Sequence, residues 1–257
     1  MSVLADGLRL AVGTLTVFPV SPPRQVVGSV AGVAMVTAPI AVLPVAAAAA
    51  AAVWASDTVA MPSLVTAALA VGVLAAGTGM IHLDGLADTV DGLAAGGPRE
   101  RRLEVMRRSD IGPSGSTALL ILLLVQIGAL AGLVAELGTA AASCAMVVSV
   151  LVSRSVLVLA CTRGIPAARP DGLGSAVAGT VPPLVALLVG AVVAVGATLC
   201  QGWSGLTGLL VATAAVALVL LQCRRRLGGV SGDVLGACVE VAFAAYLLAQ
   251  VGAPPMA

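Results

Sequence analysis

The residues best suited to chemistry lie in the segment 82–92, which reads HLDGLADTVDG. If this segment is helical, Asp84, Asp88 and Asp91 are spaced i, i+4, i+7 and share one face within an arc of about 60°. Three carboxylates on one face repel one another, and each loses solvation free energy when it leaves water. A cation neutralises such a face, and oxygen-only ligands favour Mg²⁺, or alternatively Mn²⁺, over zinc. The spacing therefore predicts that these three aspartates are metal ligands and catalytic groups.

A plainer interpretation of the same segment is the solvated first turn of a loop. Against it, Leu86, Val90 and Leu93 occupy the opposite face, so the helix is amphipathic and its acidic face must meet water or a ligand. His82 is the only histidine and a further candidate for catalysis. A single histidine at a membrane boundary can equally be structural, and both interpretations of His82 stay open.

Seven further charged residues are candidates for binding a substrate, namely Arg107, Arg108, Asp110, Arg154, Arg169, Asp233 and Glu240. The first three stand in a segment rich in small residues, where backbone N–H groups can approach a phosphate. Glu240 lies about two turns inside an apolar segment. A carboxylate at such a depth is either a functional group or the partner of another buried charge, here Arg154.

Clustered carboxylates with arginines nearby are the composition of a metal-assisted phosphoryl-transfer or phosphodiester-forming site. A cation would bridge phosphate oxygens, and arginine would hold the remaining anionic oxygens. One aspartate would take the proton from an attacking hydroxyl. The net charge of +1 and its distribution give no indication of nucleic-acid binding.

The elements that must position these residues are strongly apolar. Sixty per cent of the 257 residues are hydrophobic, 10% are charged, and the mean hydropathy is +1.11. A soluble domain is about half apolar and a quarter charged. The surplus cannot fit inside one soluble core, so a lipid bilayer must solvate much of the surface. The five cysteines lie far apart with no C-x-x-C pair, which argues against a zinc site or a disulfide framework.

A transmembrane helix needs roughly 20 mainly apolar residues. About seven segments meet this requirement: 26–54, 62–81, 116–135, 139–161, 181–200, 206–223 and 234–251. An amphipathic stretch at 4–17 is expected to lie in the membrane interface. The sequence thus predicts an all-α, polytopic integral membrane protein with about seven transmembrane helices plus an N-terminal interfacial helix. We expect one domain over residues 1–257, with a cytoplasmic loop at about 94–114.

The charges between these segments alternate. All thirteen basic residues are arginines, and they precede the first segment or follow the second, fourth and sixth, apart from Arg154 near the same end of the fourth. The other connections carry no arginine: Asp57 lies in the first, Glu136 in the second, and Gln201 and Trp203 in the third. By the positive-inside rule the arginine-bearing face is cytoplasmic, and the acidic segment belongs to it.

The segment 82–92 is similar to the signature of the cobalamin synthase family, also called adenosylcobinamide-GDP ribazoletransferases. Three further segments resemble family elements in matching order: the aromatic-proline element at 18–20, the loop at 101–115 and the Gly-Gly…Gly-Asp element at 227–236. The resemblance covers nearly the whole chain. Family members often carry Asp before Ser in the loop, whereas here Ser109 precedes Asp110. The three aspartates of segment 82–92 therefore rank above Asp110 and Asp233.

The resemblance implies an Mg²⁺-dependent enzyme in a bacterial or archaeal cytoplasmic membrane, with its active site facing the cytoplasm. Its substrates would be adenosylcobinamide-GDP and α-ribazole or α-ribazole 5′-phosphate. A ribose hydroxyl would attack the phosphate, GMP would leave, and adenosylcobalamin or its 5′-phosphate would form. Which aspartate is the base, and whether the protein forms an oligomer, are left open.

Two other classes fit the pattern less well. A CDP-alcohol phosphatidyltransferase has an Asp-Gly followed shortly by Ala-Arg, whereas Asp84-Gly85 here leads into Leu86-Ala87-Asp88 with no arginine. A secondary transporter binds its substrate near the bilayer midplane, often at broken helices in repeated halves. In this chain the polar groups concentrate at one face, and no repeated halves are evident.

Overall fold

The computed structural model describes residues 2–108 and 110–251, which form α-helices and no β-strand. The predicted domain's outermost residues and Ser109 lie outside this range. The helices are α1 (Val3–Leu15), α2 (Gly28–Ala41), α3 (Leu43–Ala55), α4 (Ser63–Gly77), α5 (Ile81–Ala94), α6 (Arg99–Val105), α7 (Pro113–Ala160), α8 (Gly172–Val177), α9 (Pro183–Gln201), α10 (Trp203–Leu227) and α11 (Gly232–Val251). The predicted all-α membrane class is confirmed.

The predicted number of seven spans is not confirmed. Among the described residues, five helices are long and apolar enough to cross a bilayer, and α4 and α5 make a sixth span if this bent pair is counted as one. Two of the predicted segments, 116–135 and 139–161, fall in α7, which counts as one of these helices. Gly138, with a non-helical φ of 82° and ψ of 169°, divides α7 into two helical parts at the point where the two predicted segments meet.

The first predicted segment is divided into two helices close to its two prolines. Val42, with φ −93° and ψ −1°, separates α2 from α3. Pro39 lies near the end of α2, and Pro44 lies in the first turn of α3, where its missing N–H leaves no helical hydrogen bond unmade. The two helices together with the turn Ser56–Val59 are still long enough to act as one span.

Helix α11 lies at the centre of the bundle and α9 at its edge. In the most apolar window of α11, 72% of the residues are buried, against 6% for α9. Small residues such as Gly236, Ala237 and Ala242 allow neighbouring helices to approach α11 closely. Helices α5, α7 and α10 all pack against it.

The N-terminal amphipathic helix is present as α1. Its buried face, with Leu10, Ala11 and Leu15, packs on α2, while Leu4 and Leu8 are exposed. Ser2 begins the helix by accepting a hydrogen bond from the Ala5 N–H at 3.4 Å. Its position in the membrane interface stays a prediction.

The loop predicted at about 94–114 contains α6 and is held to the bundle by arginines. Arg99 donates from Nε to the Leu227 carbonyl at 2.8 Å and from Nη2 to the Ala168 carbonyl at 2.7 Å. Arg102 donates from Nη1 to the Leu93 carbonyl at 2.6 Å. The contacts with Leu227 and Leu93 satisfy carbonyl groups at the C-terminal ends of α10 and α5, where a positive charge is also favourable.

Candidate active site

Helix α5 carries the acidic segment and begins after a sharp bend. Gly79 and Met80 adopt left-handed conformations, with φ of 61° and 59°, and α5 lies at 90° to α4. All three aspartates lie within α5, so the predicted helix through them is confirmed. The apolar span before it was predicted to run to residue 81, and it ends earlier, at Gly77. Because of the bend, α5 does not continue that span, and its acidic face is presented at one end of the bundle.

Two glycines bring α5 into close contact with α11. A Cβ atom on Gly85 would lie 2.7 Å from the Asp233 carbonyl oxygen and 2.9 Å from its Cα, and one on Gly236 would lie 3.1 Å from the His82 Cα. Such distances leave no room for a side chain at Gly85. The close approach places Asp233 beside the acidic face of α5, although the two are far apart in the sequence.

Replacing Gly85 with alanine is expected to destabilise the protein by about 1–3 kcal/mol, because the new methyl group must push the backbone of α11 away. The measurement is thermal unfolding of the detergent-solubilised protein. Gly190→Ala is the matched control, since a Cβ there meets no atom within 4 Å. That control should be neutral or more stable by up to about 1 kcal/mol. Equal behaviour of the two variants would contradict the close α5–α11 contact.

An acidic cluster forms where α5 meets α11. The pKa of Asp88 is raised to about 6, first by burial and then by the negative charges of Asp84, Asp233 and Asp91, against the lowering effect of Arg169. Asp84 is exposed, and Asp88 is partly buried. We define the acidic cluster as Asp84, Asp88 and Asp233. Their mutual repulsion is the condition that a bound cation relieves.

Asp91 has a different environment from the acidic cluster. Its Oδ2 accepts a hydrogen bond from the Gly112 N–H at 2.7 Å, and its Oδ1 accepts one from the Gly115 N–H at 2.8 Å. Gly112 is the N-cap residue of α7, so the Asp91 carboxylate caps that helix and complements its dipole. A Cβ atom on either glycine would collide with the carboxylate. The role of Asp91 as a metal ligand stays a prediction, and its observed contacts are those of a helix cap.

No group of three or more His, Cys, Asp or Glu side chains within residues 2–108 and 110–251 is arranged to hold a metal ion. The donor set of the acidic cluster nevertheless fits Mg²⁺ in its usual protein environment. Mg²⁺ is commonly bound by one or two carboxylates, with substrate phosphates and water as the remaining ligands. Asp84 and Asp88 are suited to this role, and Asp233, predicted as a substrate-binding residue, adds negative charge near Asp88.

Arg169 and Asp233, both predicted from the sequence to bind substrate, are brought together. Arg169 donates from Nη2 to the Asp233 Oδ2 at 2.7 Å, and Ser231 donates from Oγ to the same oxygen at 3.1 Å. The segment that carries Arg169 is fixed to the start of α11 by the Ala168 N–H, which donates to the Val230 carbonyl at 2.7 Å. A guanidinium is thus held at the edge of the acidic cluster, where it can bind phosphate oxygens.

The loop residues have different surroundings. Arg107 forms a two-pronged ion pair with Asp171, at 3.0 Å to each carboxylate oxygen, and both side chains are exposed. Such an exposed pair adds little stability, so Arg107 can exchange its partner for a phosphate. Arg108 lies 4.0 Å from Glu104, and Asp110 is exposed. Neither Arg108 nor Asp110 lines the cavities described below.

Arg154 and Glu240 are buried in the bundle interior but form no direct ion pair within 4.0 Å. Glu240 Oε2 accepts a hydrogen bond from Gln126 Nε2 at 2.8 Å, and Arg154 donates from Nη1 to Ser153 Oγ at 2.7 Å. The nearest partner of Glu240 is therefore Gln126, which the sequence interpretation missed. A lone glutamine within the apolar run at 116–135 was the available signal.

His82 is buried, with 3% of its surface exposed, and lines the same cavity as Asp84. Burial and, second, the positive charge of Arg154 lower its pKa well below the usual value, so the imidazole is neutral at pH 7. Neither ring nitrogen forms a hydrogen bond with another described group. The same burial and the charge of Arg154 make this imidazole a weak base, and the catalytic role of His82 stays a prediction.

A cavity of about 440 Å³ adjoins the acidic cluster. Polar residues line it, including His82, Asp84, Arg169, Asp171 and Asp233. Aliphatic residues line it as well, including Leu15, Met35, Leu157, Leu173 and Leu235. We call this the main cavity. The contribution of α1 and α2 to its wall was not predicted, because no polar pattern in those helices indicates a site.

A second cavity of about 400 Å³ lies beside the main cavity, and Arg169 lines both. Its other basic residues are Arg99 and Arg107, with Glu100 and Glu104 also in the wall. The site thus has two adjoining compartments with a guanidinium at their boundary and carboxylates close by. This arrangement suits a reaction in which two molecules meet at a phosphate.

The fold and the site are those of a membrane-embedded enzyme, in which polar groups gather at one end of a helical bundle. The chain belongs to the cobalamin-5-phosphate synthase family, whose model matches residues 7–251. The resemblance found in the sequence is therefore confirmed. Family membership also decides against the phosphatidyltransferase and transporter interpretations.

Curated relatives of this chain carry the name adenosylcobinamide-GDP ribazoletransferase. One from a Nocardioides species is 44% identical over 96% of this chain and 98% of the relative. Another, from Frankia casuarinae, is 40% identical over 93% of this chain and 92% of the relative. A third, from Halorubrum lacusprofundi, is 42% identical over 68% of this chain and 70% of its own length. No solved structure matches the chain significantly.

Proposed function

We propose that this protein is an Mg²⁺-dependent adenosylcobinamide-GDP ribazoletransferase. It joins adenosylcobinamide-GDP to α-ribazole, or to α-ribazole 5′-phosphate, and releases GMP in the last steps of vitamin B12 synthesis. The observation that carries the proposal is the acidic cluster with Arg169 at the boundary of two cavities, in a chain that matches the family over residues 7–251.

The reaction exchanges one phosphate ester for another. A ribose hydroxyl of α-ribazole attacks the phosphorus nearest the corrinoid, the bond from this phosphorus to the oxygen of GMP breaks, and a phosphodiester forms. Mg²⁺, held by Asp84 and Asp88 together with phosphate oxygens, would neutralise the charge of the pyrophosphate. Mn²⁺ is the alternative ion.

The chain's own residues supply the remaining functions. Arg169 binds phosphate oxygens, for which it is already held at the edge of the acidic cluster by Asp233. The hydroxyl proton passes to a carboxylate of the acidic cluster. That carboxylate must be one that the cation leaves free, because a bound cation lowers the pKa of its ligands and so weakens them as bases. Arg107, at the rim, adds a second guanidinium once it exchanges Asp171 for phosphate.

The proposed location of the site is the cytoplasmic face of the bacterial or archaeal cytoplasmic membrane. Support comes from contacts among the arginine-bearing connections. Arg99 bonds the carbonyls of Ala168 and Leu227, and Arg107 pairs with Asp171, so three separate connections meet at one end of the bundle. Arginine concentrated at one end favours a cytoplasmic orientation for it.

The direct test is GMP release by the protein reconstituted in liposomes. With adenosylcobinamide-GDP, α-ribazole and Mg²⁺ we expect release that stops when α-ribazole is omitted or when EDTA removes the cation. GMP release that continues unchanged in EDTA would contradict the Mg²⁺ dependence alone. If folded protein released no GMP with either nucleophile and any divalent cation, the proposed function would be wrong.

A further inference from the structure

The wall of the main cavity combines aliphatic and polar residues. Its aliphatic residues include Leu15 of α1, Met35 of α2, Leu157 of α7 and Leu235 of α11, all buried, with Leu173 of α8 more exposed. These side chains offer no hydrogen-bond donor or acceptor beyond the weak thioether of Met35. They favour a ligand with a large apolar ring system, because a polar edge set against them would lose its hydrogen bonds to water without replacement.

The volume of the main cavity is large enough for one of the two substrates and too small for the other. Its size of about 440 Å³ is in the range of pockets that enclose small, drug-sized ligands. The ribazole nucleoside, a dimethylated benzimidazole joined to a ribose, belongs to that size class. Adenosylcobinamide-GDP carries a corrin macrocycle, an adenosyl group and a guanine nucleotide, and it exceeds the cavity several-fold.

The guanosine part of adenosylcobinamide-GDP is small enough for the main cavity but matches its aliphatic residues less well than a dimethylbenzimidazole does. Guanine presents several donors and acceptors along its edges, and apart from the charged groups only Thr14 and Ser231, among the described residues of the wall, offer hydroxyl partners. A dimethylbenzimidazole presents two methyl groups and a hydrocarbon ring edge. The hydroxyls of its ribose would then lie toward Asp84 and Asp233, which line the same cavity.

We propose that the main cavity is the binding subsite for the ribazole nucleoside. The benzimidazole contacts Leu15, Met35, Leu157 and Leu173, and the ribose lies toward Asp84 and Asp233. The corrinoid substrate approaches from outside the main cavity and brings only its pyrophosphate to Arg169. This inference rests on the proposed function and adds to it which substrate each part of the site receives.

The test compares the KM of each substrate in a variant that fills the main cavity. Leu173 is 37% exposed on the short helix α8, so Leu173→Trp adds bulk to the cavity wall without repacking the core. We expect the KM for α-ribazole to rise about tenfold or more, since a pocket discriminates strongly against lost space. The KM for adenosylcobinamide-GDP should stay within about twofold. Leu187→Trp on α9, where Leu187 is 70% exposed on the bundle exterior, is the matched control and should change neither constant.

A second variant guards against misfolding of the first. Leu173→Ala removes apolar contact instead of adding bulk, and it should raise the KM for α-ribazole about three- to tenfold. The subsite assignment would be overturned if the KM for adenosylcobinamide-GDP rose instead, or if neither KM changed. In either case, GMP release by the wild type would still uphold the proposed function. Equilibrium dialysis of labelled α-ribazole measures binding of the nucleoside without the reaction. If the wild type bound α-ribazole more tightly than Leu173→Trp does but released no GMP, the subsite would be upheld and the proposed reaction would be contradicted.

Discussion

Replacing Asp88 with asparagine is expected to lower the rate of GMP release by about 10²–10⁴-fold, the usual contribution of a positioned acid or base. The same change should leave the cation-free protein as stable as the wild type, or more stable. Asp88 is surrounded by the negative charges of Asp84, Asp233 and Asp91, and asparagine removes this repulsion at nearly constant volume. Loss of activity with retained stability is typical of a residue selected for function.

The pH dependence of this stability effect has a definite sign. The ordinary pKa of Asp88 is 3.8, and in the folded protein it is about 6, so the folded state holds the proton more tightly than the unfolded state does. The ionised carboxylate therefore becomes increasingly unfavourable as the pH rises from 3.8 to about 6. In EDTA, any gain in melting temperature of Asp88→Asn should be complete above about pH 6 and should shrink below it.

Thermal unfolding with and without Mg²⁺, together with the GMP assay, measures both effects. Wild type should gain melting temperature on adding Mg²⁺, because the ion binds the folded state, and Asp88→Asn should lose most of this gain. Asp57→Asn, in the exposed turn Ser56–Val59, is the matched control and should behave like the wild type. Full activity in Asp88→Asn would remove Asp88 from the reaction.

The helix that carries the aspartates could be predicted because its signal is local. A spacing of i, i+4, i+7 against apolar residues on the opposite face is visible within one short segment. The bend that precedes it was not predicted. It depends on left-handed conformations at Gly79 and Met80, and methionine gives no indication of such a conformation. The predicted boundary between the segments 116–135 and 139–161, by contrast, falls beside Gly138, where the backbone of α7 leaves the helical conformation.

The composition of the acidic cluster depends on contacts that sequence spacing does not contain. Asp233 reaches α5 only because Gly85 and Gly236 let two backbones approach. Asp91 shares the spacing of Asp84 and Asp88, yet its carboxylate meets the start of α7. Periodicity specifies a shared helix face, whereas the neighbours of that face are set by tertiary packing. Glycines at 85, 112, 115 and 236 were the one local signal of close approach.

The four carboxylates near α5 therefore divide into two groups. Asp84, Asp88 and Asp233 form the acidic cluster, and Asp84 and Asp233 line the main cavity. Asp233 is paired with Arg169, whereas the like charges around Asp88 are unfavourable without a cation or a substrate. Asp91 has both oxygens bonded to backbone donors, which is favourable without any ligand. The first arrangement is expected of reactive groups and the second of a structural one.

Replacing Asp91 with asparagine is accordingly expected to impair stability more than the response to Mg²⁺. Asparagine keeps one acceptor oxygen but sets an NH₂ group against a backbone N–H, so one charge-assisted hydrogen bond is lost and a donor is left unpaired. We expect a loss of about 2–4 kcal/mol, or roughly 5–12 °C in melting temperature for a chain of this size. At temperatures where the variant is folded, GMP release should show the wild-type dependence on Mg²⁺ concentration.

Gly115→Ala tests the same contact from the other side. Its Cβ would collide with the Asp91 carboxylate and lie 2.7 Å from the Ala87 carbonyl oxygen, so it should also lower the melting temperature. Gly128→Ala, farther along the same helix with no atom within 4 Å of the new Cβ, is the matched control.

If Asp91→Asn instead kept its melting temperature and required about tenfold more Mg²⁺, Asp91 would be a metal ligand, as its spacing with Asp84 and Asp88 predicts. Comparing the change in melting temperature with the change in the required Mg²⁺ concentration thus shows whether Asp91 acts as a helix cap or as a metal ligand.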